Sequence, residues 1–535
     1  VNFKHDESAT KLKGAYYTPP ALARWLVRWA LAAPAARRKP VRVLEPGCGD
    51  GVFLEALGES SRALEVDALE IDPLEAKKAR ARGGDRVLAR DFFGWLADEP
   101  PGRTWDVVLG NPPYIRYQYF DAGPREVATR LCREAGVPIS KLTNAWVPFV
   151  LLSARRLAPG GRLAMVVPAE LMHVLHAEGL RRELEKGLGA LTVVHVRAML
   201  FDALQGVVLL LAEKGPPAGC RPRILEVDGV AALPPPEAIE PDLAGLPGEA
   251  RRGRWMWALL EDDERALLER IEGEGWAPLF RDLASVDVGI VTGANDFFVT
   301  DEATVRAHGL EPFVLPMLGR SEHVRGILYS REDHEQNRRE GRRVSFLSLP
   351  PGTRLPASVK RYLATGEEQG LPSRFKCRIR EPWWAVPYVW RAPVALLKRC
   401  HGSPRLVLNE AEAFTTDTAY RICPREGVHA RDLVGSFQCS LTFLLAELEG
   451  RHYGGGVLEL VPSEIERLRI PLRKTSAAEL DELDGLVRAG SIDGRVLDRA
   501  DELCLGEHLS REERALLRRA WVRLRDRRQR RVKAP

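Results

Sequence analysis

The run Trp105-Asp-Val-Val-Leu-Gly-Asn111-Pro112-Pro113-Tyr114 carries the most specific chemistry in the chain. Its apolar first half predicts a strand over 105–109, which delivers Asn-Pro-Pro-Tyr at its carboxyl end, where open α/β sheets bind ligands. The two prolines stiffen the loop and leave carbonyls without competing local N–H donors. Such a site suits an exocyclic amine on an aromatic ring, whose lone pair is delocalised and attacks poorly. Accepting both amine hydrogens, on the Asn111 side-chain oxygen and the Pro112 carbonyl, would push the nitrogen towards tetrahedral geometry and aim its lone pair. Positioning and electrostatics then supply the catalysis, with no covalent intermediate. Tyr114 offers a face on which a base removed from a duplex can stack. The bland alternative is a Pro-rich turn after a strand.

Three further motifs fit a nucleoside-bearing cofactor. Val41 to Gly51 reads as an apolar strand entering a glycine turn and then a helix. The spacing is Gly47-x-Gly49-x-Gly51, without the G-x-G-x-x-G pattern that favours a dinucleotide. Glu70-Ile71 ends a second strand, where an acidic group can accept both hydroxyls of a ribose. Asp91-Phe92 follows a third strand. A carboxylate there can accept from an adenine amino group while the aromatic packs on its ring.

The elements that must position these residues are legible as alternating apolar runs and amphipathic stretches, the pattern of a parallel sheet covered by helices. Seven strands are expected, over 41–46, 64–71, 86–89, 105–109, 162–167, 191–196 and 207–212, with helices over 20–32 and 144–158 among the intervening stretches. Pro159-Gly160-Gly161 reads as a helix stop. Residues 215–248 are rich in Pro and Gly and read as a linker with one strand over 223–227. An amphipathic helix is expected over 255–272, then an irregular region to about residue 472, then charged helices.

Composition sets the outer limits. The 535 residues exceed one ordinary domain, and 45% hydrophobic content permits large cores. A net charge of +5 is modest, but 511–533 holds eleven Arg or Lys against three Asp or Glu. The eight cysteines are scattered singly, with no CxxC pair and no zinc spacing, so no metal is expected. The first ten residues lack an apolar signal core, and no run approaches the roughly 20 apolar residues of a membrane span. The expectation is a cytoplasmic protein without a membrane partner.

In this order, the glycine turn, acidic second strand, Asp-Phe and Asn-Pro-Pro-Tyr resemble the N6-adenine DNA methyltransferases. Gly14-Ala-Tyr-Tyr17-Thr18-Pro19-Pro20 narrows the resemblance to the gamma class of TaqI-type enzymes in type II restriction–modification systems. The resemblance implies S-adenosylmethionine as cofactor, bound by Tyr17, Thr18, Glu45, Gly47, Gly49, Glu70, Ile71, Asp91 and Phe92, with Thr18 near the methionine moiety. It implies a catalytic set of Asn111, Pro112, Pro113, Tyr114 and, in an eighth motif around Met199–Val208, Phe201 against the flipped base. The implied architecture is α/β: a doubly wound, seven-stranded class I methyltransferase domain over 1–248, a mixed α/β target recognition domain over 249–475 and a helical basic tail over 476–535.

The recognition half must touch double-stranded DNA. Arg374, Lys376, Arg378 and Arg380 lie among Phe375, Trp383 and Trp384, a mixture suited to phosphate and base contacts, and Tyr453 precedes three glycines at a candidate close approach. A solvated edge strand is the plainer reading of 374–380. Leu509 to Leu524 fits a helix with one apolar stripe and a dense Arg face, either an aid to phosphate affinity or a merely charged surface. Competing readings are cytosine-N4, RNA or protein-glutamine methylation, and a catalytically silent specificity subunit. The chain opens shortly before Gly14, so no fused nuclease domain is expected; the resemblance implies a stand-alone modification enzyme with a separate cognate restriction endonuclease, and a single-base target suits a monomer.

Overall fold

The computed structural model describes residues 17–37, 40–83, 86–115, 121–140, 143–197, 206–215, 220, 222–239, 253–453, 455–490 and 494–529. The chain forms two compact units, whose main segments are Val1–Leu260 and Glu261–His452 with Gly456–Arg530.

The first unit is built on an eight-stranded sheet in the order β3-β2-β1-β4-β5-β7-β6-β8. Its strands are β1 Val41–Glu45, β2 Leu64–Leu69, β3 Val87–Leu88, β4 Trp105–Gly110, β5 Leu157–Pro168, β6 Ala190–Val196, β7 Val207–Glu213 and β8 Pro222–Val227. β1 to β5 run parallel, while β7 is antiparallel to both β5 and β6. β4 and β6 are buried along their whole length, which is why they read as unbroken apolar runs rather than alternating ones. This is the class I methyltransferase topology, with one strand beyond the seven expected: β8 pairs in parallel with β6, from Leu191↔Pro222 to Val196↔Val227.

Seven α-helices of this unit matter for the site: α1 Pro20–Leu31, α2 Val52–Gly58, α3 Pro73–Ala81, α4 Phe92–Asp98, α5 Ala122–Glu134, α6 Trp146–Arg155 and α7 Glu178–Gly187. α1 starts on prolines whose missing N–H groups cost nothing in a first turn, and it buries Leu22, Leu26, Trp29 and Ala30 on one stripe. α3 and α4 are capped by Asp72 and Asp91, which accept from Leu74 N and Gly94 N.

Two sequence expectations are corrected. The helix expected to stop at Pro159-Gly160-Gly161 ends at Arg155, and β5 starts at Leu157 and runs through the Pro-Gly-Gly. The β4–β5 register shifts there, from Trp105↔Leu157 to Val107↔Arg162, so the breakers sit in a bulge at a strand start. The helix expected over 255–272 is interrupted: a 3-10 turn spans Trp255–Leu259 and a helix spans Asp262–Glu274, opened by a capping box between Glu261 and Glu264.

The second unit carries a five-stranded sheet in the order Leu328–Tyr329, Leu406–Asn409, Val394–Leu397, Ala419–Pro424, Ala284–Val288, and a four-stranded one containing Val299–Thr300, Ser345–Leu347, Val314–Leu318 and Phe414–Thr415. Phe297 anchors a core in which its ring stacks on Tyr362 at 4.6 Å and meets Trp383 at 5.6 Å. The C-terminal helices pack within this same unit. Arg511–Gln529 buries Leu517, Trp521 and Leu524, and many of its cations are engaged: Arg514 with Glu502, Arg518 with Asp501, Arg523 with Glu264 and Arg528 with Glu447.

The last of these pairs has both side chains at 0% exposure, with a 2.7 Å contact. Burial pushes the Glu447 carboxyl up and Arg528 opposes it. Arg528→Ala would leave that carboxylate uncompensated, and about 3–5 kcal/mol of stability should be lost in urea unfolding followed by tryptophan fluorescence. The exposed Arg519→Ala should stay within about 0.5 kcal/mol of the parent.

Candidate functional site

β1 and β4 are adjacent and parallel, paired through Leu44↔Val108, so the turns that leave them at Glu45 and Gly110 emerge side by side. This is the point from which the strand order runs outward in both directions, the place where an open sheet leaves a crevice. After β1 the chain turns tightly: Gly49 has φ +52° and Gly51 has φ +89°. A Cβ on Gly51 would lie 2.7 Å from the Ala79 Cα of α3, so the third glycine is fixed by helix packing as well as by backbone conformation.

Glu70, just past β2, ties that turn to its own strand. Its carboxylate accepts from Gly49 N at 2.9 Å and from Asp72 N at 2.8 Å. Burial nonetheless holds its acidity below that of a free carboxyl. Glu45 ends β1 fully buried, and neither carboxylate oxygen has a hydrogen-bond partner among the described residues. Burial first, then the charges of Glu70 and Asp50, push its carboxyl well above the ordinary range. Tyr17 lies beside Glu75 and Asp50, and burial followed by Glu75 raises its hydroxyl. Tyr17 and Ile71 are about half exposed, large apolar surfaces next to the acidic cluster.

Asp91 caps α4 through Gly94 N at 2.6 Å, and burial raises its carboxyl. Phe92 is buried, its ring stacked on Phe149 of α6 at 5.2 Å. A Cβ on Gly47 would touch the same Phe149 ring at 3.8 Å. Phe149 therefore joins the glycine turn to the Asp-Phe motif. The sequence offered no signal for it beyond an apolar helix, because the contact is made across the fold. Asp50 was also missed, although its place between two glycines of the turn marks it.

The Asn-Pro-Pro-Tyr loop is anchored at both ends. Asn111 Nδ2 donates to the buried Thr18 Oγ1 at 3.2 Å, and the Tyr114 hydroxyl donates to Val166 O of β5 at 3.1 Å. Pro112 is buried and Pro113 half-buried between them. Thr18, placed near the methionine moiety by resemblance, is thus in contact with the Asn-Pro-Pro-Tyr loop itself. Phe201 lies outside the described residues.

In the second unit, Arg374, Lys376 and Arg378 are exposed around the short helix Phe375–Arg378. Arg380 differs from them: its guanidinium donates to Thr292 O and Val291 O, both at 2.7 Å. The segment is a helical turn and loop rather than an edge strand. Tyr453 is half-buried at the end of the strand Arg451–Tyr453.

Known proteins agree with this geometry. Residues 88–194 match the family described as Eco57I restriction-modification methylase, and residues 252–505 match Type II methyltransferase M.Eco57I, C-terminal domain. Type II methyltransferase M.XamI of Xanthomonas campestris pv. amaranthicola is 29% identical over 474 residues, covering 86% of this chain and 85% of that protein. M.AccI of Acinetobacter calcoaceticus is 21% identical, covering 84% of each. Among solved structures, the DrdV–DNA complex shares the fold with a TM-score of 0.51 at 12% identity, over 89% of this chain and 57% of that one. The chain belongs to the Eco57I-type restriction–modification methylases, the DNA methyltransferases of type II systems, with S-adenosylmethionine as cofactor.

Proposed function

We propose that the chain methylates the exocyclic N6 of an adenine rotated out of duplex DNA at a specific sequence, as the modification enzyme of a restriction–modification system. The observation that carries this reading is the Asn111–Thr18 hydrogen bond. Because Nδ2 donates to Thr18, the amide is held in one orientation and Oδ1 is presented as an acceptor on its other side. Asn111 Oδ1 and the Pro112 carbonyl then take the two amine hydrogens, and the N6 lone pair is turned out of the ring plane. Tyr114, fixed through its hydroxyl to β5, supplies a rigid face for the extruded base, and Phe201 is proposed as its opposite wall. Residues 1–248 are read as the catalytic domain, 249–475 as the recognition domain and 476–535 as a helical extension. A monomer acting in the cytoplasm beside a separate endonuclease completes the reading.

The chain's own residues fit the cofactor. S-adenosylmethionine supplies an electrophilic methyl group and carries net positive charge. A glycine turn surrounded by Glu45, Glu70 and Asp50 would repel a diphosphate, whereas it suits a sulfonium and an ammonium. The partnerless buried oxygens of Glu45 are what a cationic ligand would satisfy. Glu70 retains lone pairs for ribose hydroxyls beyond its two backbone donors, and Ile71 and Phe92 flank an adenine ring accepted by Asp91.

Glu45 makes cofactor binding a proton-coupled event. Burial and the neighbouring carboxylates raise its carboxyl, and a positively charged ligand should lower it again, so binding should be accompanied by proton release wherever the two states differ in protonation. Calorimetry in buffers of different ionisation enthalpy should show proton release at pH values above the ordinary carboxyl range, and affinity should rise with pH across that range. Glu45→Gln should abolish the release and weaken binding. The free protein should lose stability as pH climbs from the ordinary carboxyl range towards that raised value, because the folded state holds the proton more tightly, and Glu45→Gln should flatten this slope. Equal proton release in wild type and variant would sink the role.

Transfer from labelled S-adenosylmethionine to unmethylated genomic DNA, digested to nucleosides, tests the reaction itself. Label should appear in N6-methyladenine, and Asn111→Ala should lower kcat by about 10²–10³-fold with cofactor affinity within about twofold. Label in N4-methylcytosine instead would overturn the adenine assignment.

A further inference from the structure

Nine large apolar side chains are conspicuously exposed among the described residues, and those of the second unit are confined to two segments: Val288 and Val291 on one, Phe375, Ile379 and Tyr388 on the other. Tyr388 is the extreme, at 83% exposure and with φ +57°, a backbone conformation unfavourable for a residue bearing a side chain. Something other than solubility or local backbone preference therefore holds these groups in water.

Two arginines clamp the segments together. Arg380 donates to the Val291 and Thr292 carbonyls, while the buried Arg421 donates to Val288 O at 2.7 Å, Tyr388 O at 3.0 Å and Trp390 O at 3.2 Å. The Arg421 guanidinium also lies 3.7 Å from the centre of the Trp390 ring. Backbone approach is close as well, since a Cβ on Gly293 would come within 2.7 Å of Lys376 Cβ. The exposed apolar residues are thus carried on a braced platform. Interleaved with them, Arg374, Lys376 and Arg378 are exposed and make no ion pair among the described residues.

Apolar groups and unneutralised cations alternating within a few residues match a ligand that sets base edges, with their apolar thymine methyl groups, between rows of negative charge. Duplex DNA is such a ligand. Resting on the DNA-methyltransferase reading above, we infer that Phe375, Ile379 and Tyr388 make the base contacts of this enzyme, that Arg374, Lys376 and Arg378 hold the flanking phosphates, and that Arg380 and Arg421 are positioning residues that never touch DNA. Arg380 thereby leaves the set of cations expected to bind phosphate.

The test uses the full chain, a fluorescein-labelled random-sequence duplex for anisotropy, and methylation of genomic DNA mapped by base-resolved sequencing. Replacing Arg374, Lys376 and Arg378 together with Gln should flatten the plot of log affinity against log salt by about three. Phe375→Ala, Ile379→Ala and Tyr388→Ala should each keep random-duplex affinity within about twofold. Each should cut methylation at the wild-type sequence by about tenfold or more and relax the sequence methylated. Arg380→Gln should impair methylation while leaving the salt slope unchanged, and Arg380→Lys should rescue it in part. An unchanged urea-unfolding midpoint in tryptophan fluorescence throughout guards against misfolding. Wild-type sequence choice and rate in the three apolar variants, or an unaltered slope in the cation variant, would overturn the inference and leave a protein partner as the ligand of this face. A wild-type chain that labels no DNA would instead sink the parent reading.

Discussion

The parallel pairing of β1 with β4 is the constraint on which the rest of the site depends. Strand order reverses between them, so the helices that follow diverge and a crevice opens at their carboxyl ends. The cofactor turn and the Asn-Pro-Pro-Tyr loop are separated by some sixty residues of chain but by one strand spacing, about 4.8 Å, in the sheet. Every later refinement, from the Asn111–Thr18 hydrogen bond to the Glu70 bridge, adjusts orientation within a proximity that the sheet has already imposed.

Charge then decides what the crevice accepts. Glycine turns entering helices commonly receive phosphates, because helix amino ends present N–H groups to anions. Here the turn is faced by carboxylates instead, and two unit charges 4 Å apart repel by about 4 kcal/mol at an effective dielectric of 20. The protein relieves this in part by holding the Glu45 carboxyl above its ordinary range, which favours the neutral form, and by pairing Asp50 with Arg82 at 3.1 Å. The same glycine pattern therefore serves opposite ligands, and the acidic residues around it discriminate between them.

The sequence exposed the site better than the surfaces around it. Seven strand positions followed from apolar runs of the right length, and the four motifs fell at strand ends because a ligand site in this architecture has nowhere else to be. What stayed hidden was long-range. Phe149 gives no local sign that it will stack on Phe92, and nothing near Thr18 announces Asn111 as its partner. Pro159-Gly160-Gly161 reads as a helix stop yet lies in a strand, because breakers mark bulges as well as helix ends and only the β4–β5 register distinguishes the two. β8 was foreseen as a strand in a linker, but its place as the eighth member of the sheet depends on its pairing with β6.

Arginine shows why composition alone could not separate binding from building. The C-terminal helix and the segment 374–380 have similar densities of cations, yet their roles diverge once partners are assigned. Along Arg511–Gln529, carboxylates and a buried stripe hold many of the guanidiniums, so that charge stabilises the unit internally. Around Phe375 the nearest restraint is Arg380, which is occupied by carbonyls, and its three cationic neighbours make no ion pair among the described residues, Lys376 resting only on the Phe375 ring. A cation held by a carboxylate must break that pair before it can meet a phosphate, whereas an unpaired one need only shed water and a counterion. Partner assignment, which is a property of the fold, therefore separates a recognition surface from a charged scaffold of the same composition.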